Sequence, residues 1–166
     1  MKLHQRLSVS AIATIALVGL MPPVAAQAAT ATGTIAVTAT VLSFCTLVAT
    51  PLAFGNYSQA ALASTATVTV TCTSGTPYNV GLDIGTGSGA SVATRKMTFA
   101  TTNTLNYGLY SDTGHSTVWG STIGTNTVTG TATGLPQPLT VYGLIPAGQL
   151  VAPGAYVDTV TATVTY

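Results

Sequence analysis

The chain is 166 residues long and 47% hydrophobic, with four basic and three acidic side chains and a formal net charge of +1. So little charge gives no electrostatic grip on nucleic acid or anionic lipid, which argues against both partners; it also removes the repulsion that keeps copies apart, favouring self-association. The length suits one domain with a real core, not two.

Lys2 and Arg6 precede an uncharged apolar run, Ile12 to Leu20, and Ala26-Gln27-Ala28 supplies the small-x-small pattern of a cleavage site. Residues 1–28 therefore read as a secretory signal peptide, with a cut after Ala26 as the alternative to one after Ala28. Ser8, Ser10, Thr14, Pro22 and Pro23 interrupt the run too often for a spanning helix, so no membrane insertion is expected. Beyond residue 28 the charged side chains are Asp83, Arg95, Lys96, Asp112 and Asp158.

From Ala29 to Val41, small or apolar residues (Ala29, Ala31, Gly33, Ile35, Val37, Ala39, Val41) alternate with Thr30, Thr32, Thr34, Ala36, Thr38 and Thr40. A period of two marks a strand with one buried and one wet face. No turn residue folds the run back, and a long unpaired strand near a chain end needs a partner. On pattern alone, that partner is either the segment's own domain, as its first strand, or another chain.

Strand character continues over Leu42 to Val48 and breaks at Pro51. Leu52-Ala53-Phe54-Gly55-Asn56-Tyr57 reads as a short strand running into a turn. Ala66, Val68, Val70 and Cys72 share a face opposite Thr67, Thr69, Thr71 and Thr73. The turn Ser74-Gly75-Thr76-Pro77 leads to Tyr78, Val80, Leu82 and Ile84, and the two runs read as an antiparallel hairpin. Cys45 and Cys72 each sit in a strand-like run of a chain expected to be exported, where thiols oxidise. One intramolecular disulfide is the default, contributing about 3.5 kcal/mol in the chain-entropy model. Two thiols alone make no zinc site, and these are not a CxxC redox pair.

Gly85-Thr86-Gly87-Ser88-Gly89 lacks the following Lys-Ser/Thr and helix of a phosphate loop, so no nucleotide site is expected. Val92 to Ala100 is a strand carrying the adjacent cations Arg95 and Lys96. Leu105, Tyr107 and Leu109 alternate, followed by Tyr110 and the turn Ser111-Asp112-Thr113-Gly114. Val118 to Gly120 and Thr127 to Thr131 are short strands, and Leu139 to Ile145 is a strand ending at Pro146. After a loop from Ala147 to Ala155, Tyr156 to Tyr166 is the last strand, with Tyr156, Val160, Ala162, Val164 and Tyr166 on one face. Thr, Val and Tyr favour strands and Gly and Pro punctuate them, so the class is all-β, and the spacing suggests a two-sheet sandwich.

Beyond residue 28, His115 is the only histidine, three residues after Asp112, and there is no Glu and no nucleophile elbow. The chain reads as non-enzymatic, with no metal or cofactor, and His115 as a solvated loop residue. Trp119, Tyr107, Tyr110 and Tyr142 suggest an alternative, the sugar-stacking surface of a secreted monomeric binding module. Against it, Tyr107 alternates with Leu105 and Leu109 as core residues do, and a buried Trp is common in sandwiches.

Several motifs in order resemble the spore coat protein U family, whose members include subunits of archaic, Csu-type chaperone–usher pili. They are Cys45, Leu52 to Tyr57, Thr69 to Tyr78, Arg95-Lys96-Met97, Leu105-Asn106-Tyr107-Gly108-Leu109-Tyr110 with Asp112, and Trp119-Gly120. The end matches best: Val141-Tyr142-Gly143, Ile145-Pro146-Ala147-Gly148-Gln149 and Pro153 to Tyr166. Leu144 departs from the pattern, standing where many relatives carry a basic residue.

The resemblance implies an immunoglobulin-like sandwich lacking its last strand, completed by a donated N-terminal strand of a neighbouring subunit. On this reading residues 29–41 are the donor strand and residues 42–166 the pilin-type domain. Ile35, Val37, Ala39 and Val41 are the main plugs, with Ala31 and Gly33 shallower. Val160, Ala162, Val164 and Tyr166 form the edge that zips onto a periplasmic chaperone, before an outer-membrane usher exchanges it for the next copy or a homologous pilin. Donor and acceptor in one chain give a head-to-tail filament. The expected route is to the periplasm and then the cell surface, as a shaft-type subunit serving adhesion or biofilm formation. A spore or cell-surface coat protein of the same fold is the alternative.

Overall fold

The structure, a computed structural model, describes residues 25–166. The expected signal peptide falls mainly on residues 1–24, outside the described residues. The chain divides into two units, one ending at Thr38 and the other spanning Ala39–Tyr166. In the first, residues 25–38 enter no strand. No described residue before Cys45 joins a sheet, so the alternating segment Ala29 to Val41 has the pattern of a strand without a ladder.

The second unit holds eight strands: β1 (Cys45–Ala49), β2 (Leu62–Cys72), β3 (Pro77–Leu82), β4 (Arg95–Phe99), β5 (Asn103–Tyr110), β6 (Val128–Thr131), β7 (Gln137–Ile145) and β8 (Ala162–Thr165). One sheet has five strands in the order β1-β2-β7-β5-β4, and the other three in the order β6-β3-β8. Every ladder is antiparallel. Alternation sets the faces, as in β2, where Ala66, Val68, Val70 and Cys72 are buried and the intervening threonines point outward.

The inner faces of the two sheets meet in a core built around Val68, Val70, Val80, Leu82, Leu105 and Val141. Trp119, 1% exposed, anchors it, and its Nε1 donates to the Val80 carbonyl at 2.8 Å. Cys45 lies opposite Cys72 in the β1–β2 register, and the two form a disulfide.

Four strand expectations change. The run ending at Cys72 and the run from Tyr78 are not a hairpin: β2 and β3 lie in different sheets. Gly75, at φ +82°, makes the bend, and Pro77 has no N–H to give a ladder. The main chain bonds elsewhere, with Gly75 N–H donating to Ala132 O at 2.8 Å and Ala132 N–H to Thr76 O at 2.9 Å. Facing each other across the core buries both apolar faces, which pairing side by side does not. Leu52 to Tyr57 is no strand; side-chain bonds hold it, from Ser64 Oγ to Ala53 O at 2.6 Å and from the Tyr57 hydroxyl to Pro146 O at 2.8 Å. Val118 makes only an isolated bridge to Tyr110. The last strand is shorter than its alternation, because the segment changes sheets. Val157 exchanges bonds of 2.8 and 3.0 Å with Thr98 of β4, and the ladder with β3 begins at Ala162.

Candidate functional site

Five strands facing three leave part of the larger sheet's inner face uncovered. A groove of about 590 Å³ lies there. Ala66 and Val68 of β2, Val141 of β7 and Leu109 of β5 line one side, and Leu82, Val160 and Ala162 the other. Leu52, Phe54, Met97 and Tyr156 lie between this groove and a second cavity of about 900 Å³ under the loops around residues 55–59 and 149–155. Leu52 and Phe54 rest over Gly143, where a Cβ would come within 2.8 Å of the Phe54 ring. Among the charged side chains of the described residues, only Asp158 reaches the lining.

Main-chain groups on both rims are unpaired. β1 and β8 lie beside one another, yet β1 pairs only with β2 and β8 only with β3. Asp83 N–H donates to Thr161 O, which fixes the phase: odd-numbered residues of β8 point their main chain at β3, and those of Ala162 and Val164 face the open edge. Bonds from Thr73 N–H to Phe44 O and from Thr50 N–H to Thr67 O fix the same for β1, leaving Cys45, Leu47 and Ala49 turned outward. Val160, Ala162 and Val164 are half-buried on the core side, while Tyr166 is exposed. Of the expected plugs, Ala31, Gly33, Ile35 and Val37 belong to the first unit and Ala39 and Val41 to the second, and all are exposed.

Residues 31–163 match the Spore Coat Protein U domain family. The chain belongs to that family. Protein U of Myxococcus xanthus is 45% identical over 87 residues, which are 52% of this chain and 48% of that protein, so the match spans about half of that relative's length. The fold resembles a chain of the CsuC–CsuE chaperone–tip adhesion subunit pre-assembly complex from archaic chaperone–usher Csu pili of Acinetobacter baumannii. The TM-score is 0.59 and the identity 23%, over 76% of this chain and 41% of that one. At that identity the likeness is one of fold.

In this Spore Coat Protein U domain, polar groups beside the core hold the groove wall. Asp158 accepts from Thr86 N–H (2.7 Å), Thr86 Oγ1 (2.8 Å), Thr159 N–H (2.7 Å) and the Tyr107 hydroxyl (2.7 Å). Burial, with that bond to Asp158, pushes the Tyr107 hydroxyl far above the ordinary tyrosine range. Burial also pulls the Asp83 carboxyl upward, but bonds from Thr161 and Gly85 N–H outweigh it and hold Asp83 below its usual value. Arg95, expected only as one of two adjacent strand cations, is fully buried. Its guanidinium donates to Asp83 O (2.8 Å), Trp119 O (2.8 Å), Val92 O (3.0 Å) and Leu82 O (3.1 Å), tying β4 to the opposite sheet. Burial lowers its pKa, opposed by the nearby Tyr107 and Asp83. The missed signal was the alternation itself, which puts Arg95 on the same face as Met97.

The aromatic quartet splits. Trp119 and Tyr107 are in the core, while Tyr110 and Tyr142 lie on the outer face of the larger sheet. His115 is not a solvated loop residue. It is half-buried and stands edge-on to both tyrosines, with a buried Nε2. Among the described residues there is no cluster of three or more metal-ligating side chains, and no helix is long and apolar enough to cross a membrane.

Proposed function

We propose that this chain is a structural subunit of a surface pilus, assembled by the chaperone–usher route through donor-strand exchange. One observation carries the reading: the area left unmatched between five strands and three is an apolar groove with unpaired main chain on both rims. Such edges call for an extended guest with an apolar side chain at every second residue. Residues 29–41 of a neighbouring copy, or of a homologous pilin, have that pattern. Ile35, Val37, Ala39 and Val41 fill the groove, with Gly33 and Ala31 as shallower plugs. Before assembly a periplasmic chaperone covers the edge formed by Val160, Ala162, Val164 and Tyr166, and an outer-membrane usher exchanges it for the next subunit. Export by residues 1–28 precedes these steps, and the filament serves adhesion or biofilm formation. The fold's likeness to a complex from chaperone–usher pili supports the partner class.

A second reading, a coat protein of the same fold, is favoured by the family to which residues 31–163 match, the Spore Coat Protein U domain. Two measurements test the proposal. Protein sheared from the cell surface is run in detergent with and without boiling. Donor-strand joints leave slowly, because a whole strand must withdraw at once. A ladder of multiples that collapses on boiling but survives reductant is expected; a single folded monomer before heating overturns the joint. Immunolabelling then separates fibres from a continuous coat.

A further inference from the structure

We infer that the glycine-rich loop from Gly85 to Gly89 is a cover for the outer edge of β4, and that once uncovered this edge joins β4 of a second copy of the chain. The two sheets have four edges. β1 and β8 border the groove, and β6 is short, with its Thr131 carbonyl taken by Gln137 Nε2 at 3.2 Å. β4 is the remaining edge, and a bare edge is a template for another strand.

Thr98 fixes the phase of β4. Its N–H donates to Val157 O at 2.8 Å and its carbonyl accepts from Val157 N–H at 3.0 Å, so the main chain of Lys96, two residues earlier, also turns away from β5. Two segments cover these residues. Val157 takes Thr98, and Gly87, which is buried, lies against Lys96, where a Cβ would run into the Lys96 carbonyl oxygen. Gly85 and Gly89 shape the approach, at φ +78° and +68°, and a Cβ on Gly85 would meet the Asp158 carboxylate. That close fit, not a phosphate, explains a glycine at every second position.

The cover is fastened on both sides of Gly87. Thr86 N–H and Oγ1 donate to Asp158 at 2.7 and 2.8 Å, and Lys96 Nζ donates to Ser88 O at 3.4 Å. Because Asp158 directly follows Val157, one carboxylate secures both covers of the edge.

The phase also selects the occupant. Two copies of β4 related by a two-fold axis at Met97 set each Lys96 opposite Thr98 of the other copy, and the outward main chain of both residues then pairs. The two ammonium groups lie on a diagonal instead of face to face, and a net charge of +1 opposes the approach little. β4 and β1 are opposite edges of the larger sheet, so the inference does not depend on what fills the groove.

The test is cross-linking of the full chain with a short bifunctional amine reagent. Lys2 and Lys96 are the lysines of the sequence, so a Lys96–Lys96 link between copies, mapped by mass spectrometry and normalised to single-ended labelling of Lys96, reports this edge. Gly87→Val lifts the loop by collision alone and should raise the link at least about tenfold over wild type at equal concentration. Ser88→Val, an exposed change in the same loop, should leave it at the wild-type level. Gly89→Val, strained at φ +68° in an exposed turn, lifts the loop from the other side and should raise the link even if Gly87→Val does not fold. An abundant link in wild type, no rise in the folded glycine variants, or an equal rise from Ser88→Val each overturns the inference.

Discussion

Replacing Val37 by aspartate should leave the sandwich folded and abolish assembly. Val37 is 88% exposed and lies outside the unit Ala39–Tyr166, so its loss removes no packing from the domain, and the melting curve should not move. In the proposed joint the same side chain enters the groove, gaining about 1.5–3 kcal/mol on burial. Aspartate forfeits that gain and adds several kcal/mol for desolvating a carboxylate among apolar groups. The joint should weaken by about 5 kcal/mol, or several thousandfold in Kd. The unheated gel reads this directly as loss of the ladder, with folded subunit accumulating on the chaperone. Thr38→Asp, one residue on and facing the opposite way, should keep the ladder. A normal ladder from Val37→Asp, or equal damage from both variants, refutes the reasoning.

Arg95→Met leaves the carbonyls of Leu82, Asp83, Val92 and Trp119 without their donor and should cost about 3 kcal/mol in urea unfolding; Arg95→Lys should recover part of it. Asp112, held at about 2 chiefly by the Thr117 N–H and then by Ser116, has a folded pKa below its unfolded one. Its contribution is therefore complete above about pH 4 and fades as the pH falls toward 2. Amide exchange at Ser116 and Thr117 should quicken over that window, and Asp112→Asn should erase the step. Replacing Cys45 and Cys72 together by alanine removes the cross-link between β1 and β2 and should lower stability by about 3.5 kcal/mol, read from the denaturation midpoint.

Alternation made much of the fold legible. In β2 and β5 the predicted inward residues are the buried ones, because a period of two fixes faces whatever the strand pairs with. It does not say which sheet a strand joins. The short, turn-rich link from Ser74 to Pro77 suits a hairpin as well as a crossing between sheets, and the bonds that decide come from Thr76 and Ala132, distant in sequence. Arg95 was hidden for a similar reason. Arginine is a surface residue by habit, and its burial depends on four carbonyls from three separate segments. Leu52 to Tyr57 looks like a strand because its apolar residues alternate, but both cavities border it and side chains rather than a ladder fix it. The groove itself lay beyond local pattern, since it follows from the unequal number of strands in the two sheets.

The segment walling the groove is fastened before any guest arrives. Val157 is bonded to β4, Asp158 gathers Thr86, Thr159 and Tyr107, and Ala162 to Thr165 ladder onto β3. Ordering backbone costs about 1–2 kcal/mol per residue, and for this wall the cost is met when the domain folds. A strand that adds to it brings only its own disorder to be overcome. In the proposed joint, host and guest are then thermodynamically separable: the domain would present a stiff receptor, and the strength of the joint would be written in the sequence of the incoming segment.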